Sequence, residues 1–131
     1  MKKNGILNSD ISEVLSNLGH TDTIVVADCG FPVPEGVRKI DISLRPGEPS
    51  FLDVLKEIEN DMIVEKVTVA FETKDYNRET LDGIKVLFYE AEIIECIHED
   101  LKRRAETAKA VIRTGECTPY SNCILHAGVI F

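Results

Sequence analysis

The hydrophobic positions along the chain follow two different periods, and the pattern predicts alternating helices and strands. Apolar residues three and four positions apart, the spacing of one helix face, follow Ser9-Asp10 and again follow Ser50. Runs of consecutive β-branched or apolar residues predict strands. At residues 23–27 the run has no polar alternation, which is typical of a strand buried on both faces. The pattern predicts helices at residues 11–18, 50–62 and 98–109, and strands at residues 23–27, 37–44, 66–71, 85–89 and 123–131.

Three further segments carry weaker signals. Asp82-Gly83 predicts a turn in front of the strand at residues 85–89. Residues 91–97 suit either a strand or a helix, and residues 111–113 either extend the preceding helix or begin a strand. Strands that alternate with helices indicate an α/β fold in which at least part of the sheet is parallel. We therefore predict one three-layer domain spanning residues 1–131, with helices flanking a largely parallel or mixed sheet.

Length, charge and cysteine content narrow the classes of function. A chain of 131 residues is long enough to bury a core without disulfides or metal ions. The net charge of −8 argues against nucleic acid or anionic membranes as partners, because both favour clustered Lys and Arg. No apolar stretch approaches the ~20 residues of a membrane span, and no apolar segment of a signal peptide follows the first lysines. We therefore expect a cytoplasmic protein whose four cysteines are reduced.

The residues most able to carry chemistry are three histidines and a carboxylate at the end of the first predicted strand. Histidine titrates near neutral pH and therefore suits proton transfer. Asp28 ends a buried strand and precedes a Gly-Phe-Pro loop, the position at which open α/β sheets bind ligands. His20 lies eight residues earlier, toward the other end of that strand, so spacing alone does not bring it to Asp28. His98 and Lys102 are four residues apart and share a helix face, whereas His126 lies in an apolar strand.

The same residues also have purely structural interpretations. From spacing alone, His20 fits an exposed loop, and the helix that begins at His98 fits a solvated, charged surface. The histidines and cysteines lack the short spacings of zinc sites, so we predict no metal. Neither a glycine-rich phosphate loop nor a GxSxG elbow occurs, and we predict no cofactor. The remaining polar residues suit a small polyhydroxylated ligand that is held by hydrogen bonds and altered by proton transfer.

Four blocks of the sequence resemble one known family. They are GHTD at residues 19–22, ADCGFPVP at 27–34, IDISL at 40–44 and RTGECTPYSN at 113–122. In this order they resemble the RbsD/FucU family, and the match extends from residue 3 to residue 131. The resemblance implies the RbsD-like fold and a cofactor-free isomerase that interconverts the pyranose and furanose forms of ribose for its catabolism. It also implies a ring-shaped homo-oligomer, typically a decamer, with sites at subunit boundaries.

The resemblance assigns roles to individual residues as well. His20 is implied as the catalytic acid. The implied sugar-binding residues are Asp28, His98, Lys102, Tyr120, Ser121 and Asn122. Because Pro119 stiffens the backbone, we expect an extended segment after it. In such a segment Tyr120 and Asn122 point to one side and Ser121 points to the other.

Two alternative functions remain open. Cys29 and Phe31 stand where small and aliphatic residues are common in the ribose branch of the family. A mutarotase for fucose or another sugar is therefore the alternative within the family. A non-catalytic sugar-binding accessory of a ribose transporter is the alternative from a different class. All three interpretations predict a polar pocket.

Overall fold

One six-stranded sheet with helices on both faces forms the protein, whose computed structural model describes residues 1–131. The architecture confirms the predicted three-layer α/β fold with a mixed sheet. No helix is both long enough and apolar enough to cross a membrane. The elements are α1 (Ser9–Asn17), β1 (Thr23–Ala27), β2 (Arg38–Asp41), α2 (Phe51–Glu59), β3 (Val64–Ala70), α3 (Thr73–Tyr76), α4 (Arg78–Leu87), β4 (Glu92–Cys96), α5 (His98–Arg104), a 3-10 turn (Ala105–Thr107), β5 (Ala110–Arg113) and β6 (Cys123–Ala127).

The direction of the strands determines where a ligand site can form. The order across the sheet is β2-β5-β1-β6-β3-β4. Only β6 is antiparallel to its neighbours, β1 and β3, and the other pairs are parallel. Five strands therefore point the same way, and their carboxyl ends meet at one edge of the sheet. Open α/β sheets bind ligands at this edge.

Strand β1 shows why its sequence has no polar alternation. Its side chains alternate between two hydrophobic clusters, one on each face of the sheet. Ile24 and Val26 face the larger cluster, which includes residues from α1, α2 and α4, whereas Val25 and Ala27 face a smaller cluster that includes Leu101 of α5. These four side chains are fully buried, and only Thr23 at the start of β1 is half-buried. A central strand covered on both faces therefore needs apolar residues at every position.

The predicted strand at residues 85–89 is wrong, and so is the turn at Asp82-Gly83. Both lie in or next to α4, where Leu81, Ile84 and Phe88 are buried and Val86 and Tyr89 are exposed. This is the spacing of a helix face. Gly83 does not make a turn: a Cβ at that position would lie 2.8 Å from a methyl group of Leu52, so glycine lets α4 approach α2.

The structure also resolves the two ambiguous segments. Residues 91–97 contain strand β4, and residues 111–113 belong to strand β5. The helix predicted at residues 98–109 ends earlier, at Arg104, and continues as a 3-10 turn. The strands predicted at residues 37–44 and 123–131 are shorter than expected.

Candidate functional site

A polar cavity of about 400 Å³ lies at the edge where the five parallel strands end. We refer to it as the polar cavity. It is lined by the loop after β1, by the first residue of α5 and by the loop between β5 and β6: Asp28, Cys29, Gly30, Phe31, Pro32, His98, Glu116, Cys117, Pro119, Tyr120 and Asn122. A second cavity of about 390 Å³ beside α1 and α2 is mostly apolar and contains none of the predicted site residues.

Asp28 and Asn122 form a reciprocal pair in the polar cavity. The Asp28 backbone N–H donates to Asn122 Oδ1 (3.0 Å), and Asn122 Nδ2 donates to Asp28 Oδ2 (2.9 Å). The other carboxylate oxygen, Oδ1, accepts from the backbone N–H of Gly30 (2.9 Å). Asn122 is almost fully buried, so its amide fixes the orientation of the carboxylate. Each carboxylate oxygen retains a lone pair for a ligand hydroxyl.

His98 is held by its position at the start of α5 and by two aromatic rings. The carboxylate of Glu72, which follows β3, accepts from the His98 backbone N–H at 3.0 and 3.2 Å from its two oxygens. The imidazole is nearly perpendicular to the rings of Tyr120 (centroids 5.2 Å apart) and Phe31 (6.4 Å). Its Nδ1 is buried with no hydrogen-bond partner in the protein. The backbone hydrogen bonds to Glu72 and the packing of the two aromatic rings therefore orient this imidazole.

The backbone at Tyr120 corrects the expected extended segment. Tyr120 has φ of +63°, in the left-handed region, which costs a non-glycine residue ~1–2 kcal/mol. Thr73 Oγ1 donates to the Tyr120 carbonyl (3.2 Å), and Asn77 Nδ2 donates to the Pro119 carbonyl (3.0 Å). The Tyr76 ring lies against the Tyr120 ring at 5.6 Å. The α3 region thus holds the loop in a conformation that sequence periodicity does not predict.

Ser121 and Lys102 lie outside the lining of the polar cavity. Ser121 is fully buried, and its hydroxyl accepts from Asn77 Nδ2 at 2.9 Å. It points away from the cavity, as expected, although the turn at Tyr120 is the reason. Lys102 lies one turn after His98 on α5, and its Nζ pairs with Glu99 at 2.6 Å. A sugar-binding role for either side chain therefore stays a prediction.

His20 lies far from the polar cavity of its own chain. Its Nε2 contacts Glu65 Oε2 at 2.9 Å, and about half of its side chain is exposed (52%). Strand β1 separates His20 from Asp28, and its five residues span about 16 Å at roughly 3.3 Å each. The structure therefore brings Asp28, His98, Tyr120 and Asn122 together but leaves out His20.

Glu116 is a lining residue that the sequence prediction missed. It accepts from the Thr118 hydroxyl (2.8 Å) and from the backbone N–H groups of Thr118 and Phe51 (both 3.2 Å). Burial acts to raise the pKa of Glu116, but these hydrogen bonds outweigh it, and the pKa is lowered. The TGE segment of the fourth block was the available signal for this residue.

The loop after β1 is held by Arg113, the last residue of β5. Its Nε donates to the Cys29 carbonyl (2.8 Å), and its Nη1 pairs with Asp41 Oδ2 (2.8 Å). The hydroxyl of Ser43, its backbone N–H and Arg113 together hold the pKa of Asp41 below its usual value. No group of three or more His, Cys, Asp or Glu residues is placed to hold a metal ion.

Known proteins resemble this chain over its full length. The model of the RbsD / FucU transport protein family matches residues 1–130. Two relatives called D-ribose pyranase, from an Exiguobacterium species and from Bacillus cytotoxicus, are 53% and 55% identical over 100% of both chains. A solved structure of Bacillus subtilis RbsD complexed with D-ribose is 55% identical, covers 100% of both chains and superimposes with a TM-score of 0.98. The chain therefore belongs to the RbsD/FucU family.

Proposed function

We propose that this protein interconverts the β-pyranose and β-furanose forms of D-ribose, as an isomerase acting in ribose catabolism. One observation carries the proposal: the full-length likeness, with a TM-score of 0.98, to a structure complexed with D-ribose. The full-length relatives called D-ribose pyranase support the same activity. The polar cavity also suits a pentose, because it combines a carboxylate, an amide, a phenol and an imidazole at one strand edge.

The reaction needs only proton transfers. To open the pyranose, a base removes the proton of the anomeric hydroxyl while an acid protonates the ring oxygen, giving the open-chain aldehyde. Closure by a different hydroxyl reverses both transfers and gives the furanose. General acid–base catalysis of this kind accelerates reactions roughly 10²–10⁴-fold. Asp28 and Asn122 accept and donate to sugar hydroxyls, and Tyr120 and His98 bind the same sugar.

His20 is the proposed catalytic acid, and it acts on the sugar bound by a neighbouring subunit. A pentose is much shorter than the roughly 16 Å that β1 places between His20 and Asp28, so one sugar cannot contact both in one chain. His20 is half exposed, and the carboxylate of Glu65 orients its imidazole. These features suit a side chain presented to a second subunit. We propose a ring-shaped homo-oligomer, a decamer, in the cytoplasm.

One observation favours a second candidate function. Phe31 lies in the polar cavity with its ring nearly perpendicular to that of His98. An aromatic wall at this position adds apolar area that suits the methyl group of a deoxy sugar such as fucose. A mutarotase for such a sugar is therefore the second candidate. Because the matched family is described as a transport protein family, a non-catalytic sugar-binding accessory of a transporter is the third candidate.

Saturation-transfer NMR on equilibrated D-ribose tests the proposal. We expect the protein to accelerate exchange between pyranose and furanose signals, and His20→Asn to abolish the acceleration. Asn17→Ala, an exposed change on α1, is the matched control and should retain full activity. Ribose binding without acceleration would support the accessory, and acceleration of fucose anomer exchange alone would support the mutarotase.

Mixed oligomers test whether the site is shared. Asp28→Asn carries an intact His20, and His20→Asn carries an intact polar cavity. If two subunits form each site, random mixing of equal amounts should restore about a quarter of the sites. Two variants of one cavity, Asp28→Asn with Tyr120→Phe, should not restore activity. No recovery in the first mixture, once subunit exchange is demonstrated, would refute the shared site.

A further inference from the structure

Two cysteines lie side by side on one wall of the polar cavity. The Sγ atoms of Cys29 and Cys117 are 3.7 Å apart, although 88 positions separate the residues in sequence. The backbones are also joined, because the Cys29 N–H donates to the Glu116 carbonyl at 2.8 Å. Cys117 is exposed and Cys29 is partly exposed. Both thiols are therefore close to each other and accessible from the cavity.

The other two cysteines have different surroundings. Cys123 lies in β6 and is fully buried, and burial raises the pKa of its thiol strongly. Cys96 ends β4 and is partly buried, which also raises its pKa. Neither is in contact with a second thiol. The pairing at the polar cavity is thus specific to Cys29 and Cys117.

We propose that Cys29 and Cys117 are a modification site, a dithiol that a hydroperoxide oxidises to a disulfide across one wall of the polar cavity. Disulfide formation requires the sulfur atoms to approach by about 1.6 Å, from 3.7 Å to the ~2.05 Å of a bond. Both residues belong to loops rather than to strands or helices, so small side-chain and loop movements achieve this approach. A hydroperoxide as small as hydrogen peroxide reaches any cavity that admits a pentose.

The reaction proceeds in two steps that balance. The Cys117 thiolate attacks one peroxide oxygen, the O–O bond breaks, and Cys117 becomes a sulfenic acid while hydroxide, or alkoxide from an organic hydroperoxide, leaves and takes up a proton. Cys29, having lost its proton, then attacks Cys117 Sγ, and the sulfenic oxygen leaves as water. Overall, two thiols and one hydroperoxide give one disulfide, one water and one water or alcohol. Cys117 is oxidised first because it is the more exposed thiol, and Cys29 resolves it.

The state of Cys29 agrees with this order. Its hydrogen bond with the Cys117 thiol raises the pKa of Cys29, and burial and the charge of Asp28 add to the effect. The raised pKa leaves less Cys29 thiolate at neutral pH, which suits Cys29 to the resolving step.

Oxidation has a consequence for the sugar, and this consequence rests on the proposed function. Cys29 follows Asp28 directly, and the Asp28 carboxylate is fixed by Asn122 and by Gly30. Drawing Cys29 toward Cys117 pulls this loop along the cavity wall. The disulfide should therefore weaken ribose binding, and reduction should restore it.

Hydrogen peroxide titration of the reduced oligomer tests the proposal with two separate readouts. Peptide mass spectrometry should find a Cys29–Cys117 disulfide within one chain. Ribose exchange should fall in proportion to the disulfide and recover with dithiothreitol. Cys96→Ser should respond like the parent protein, whereas Cys29→Ser and Cys117→Ser should form no such disulfide. Each variant is compared with its own reduced form.

The outcomes separate the modification site from the proposed function. If the disulfide is absent, joins other cysteines or links two chains, the dithiol proposal is wrong. If the disulfide forms while ribose exchange and ribose affinity stay unchanged, the proposed effect of the disulfide on the cavity is wrong. A reduced protein with no ribose exchange would refute the proposed function alone, since the disulfide would still be mapped by mass.

Discussion

Asn77 is the side chain whose removal should most disturb the polar cavity without touching the sugar. Its Nδ2 donates to the Pro119 carbonyl (3.0 Å) and to the Ser121 hydroxyl (2.9 Å), on either side of the left-handed Tyr120. Asn77 itself is buried beside α3. We predict that Asn77→Ala lowers both stability and activity, because the loop loses the contacts that hold it in a strained conformation.

The magnitude follows from the two hydrogen bonds. Loss of each bond leaves a buried or partly buried acceptor without its donor, at ~1–3 kcal/mol per group, so the free energy of unfolding should fall by about 2–6 kcal/mol. The left-handed conformation of Tyr120 is itself unfavourable by ~1–2 kcal/mol. Without the two bonds that offset this cost, the conformation becomes the disfavoured one, and a net disadvantage of about 1.4 kcal/mol lowers its population about tenfold. Catalytic efficiency should therefore drop about tenfold or more.

The assay pairs chemical denaturation with ribose exchange measured by NMR on the folded fraction. Thr73→Val removes one hydrogen bond to the Tyr120 carbonyl while keeping the shape of the side chain, so its effects should be smaller and in the same direction. Asn17→Ala, which removes an exposed hydrogen bond on α1, is the control. An Asn77→Ala protein that is destabilised but fully active per folded molecule would refute the positioning role.

Three further predictions concern pH and close packing. Burial, with Lys66 and Arg104, lowers the pKa of His126, so the unfolded state binds more protons below about pH 6.5. Unfolding free energy should therefore fall as pH decreases below that value, and His126→Gln should lessen this slope. The pKa of Glu116 is lowered, so its ionised carboxylate stabilises the fold above about pH 4.3, and this contribution to the free energy of unfolding is lost on further acidification. The Glu116→Gln protein should not show this loss. Gly115→Ala should prevent folding, because its Cβ would lie 2.2 Å from a backbone carbonyl oxygen.

Each of these has its own check. Denaturation midpoints measured from pH 8 to pH 5 compare His126→Gln with the parent protein, and equal slopes would contradict the assignment. The same measurement between pH 5 and pH 3 serves for Glu116→Gln. Gly36→Ala is matched to Gly115→Ala: its Cβ meets nothing within 4 Å and it carries only the strain of φ +82°. Similar melting temperatures for the two alanine variants would show that the close approach is relieved cheaply.

Local sequence patterns correctly predicted helices and strands whose surroundings stay the same along their length. The unbroken apolar run of β1 indicated burial on both faces, and Ser50 begins α2 by accepting from the Asp53 backbone N–H. The pattern failed at residues 85–89, since the glycine that signalled a turn serves a helix–helix contact with Leu52. A close approach between distant segments leaves no periodic signal.

Some residues of the candidate site were likewise predictable from the sequence, and others were not. Asp28 was predictable because strand ends in α/β sheets have a known role. The fourth family block supplied Tyr120 and Asn122, and the wider family resemblance supplied His98; the polar cavity brings all three together. Asn77 and the left-handed turn at Tyr120 were not predictable, because the bonds that hold that turn join residues more than 40 positions apart.

The placement of His20 and Asp28 at opposite ends of β1 has a consequence for how activity depends on protein concentration. On the proposed shared site, an isolated chain has a complete binding surface but no acid within reach of its sugar. Dilution below the dissociation constant of the assembly should therefore abolish turnover while ribose affinity changes far less. Specific activity would then report subunit association, so the rate of a simple sugar isomerisation becomes a measure of quaternary structure.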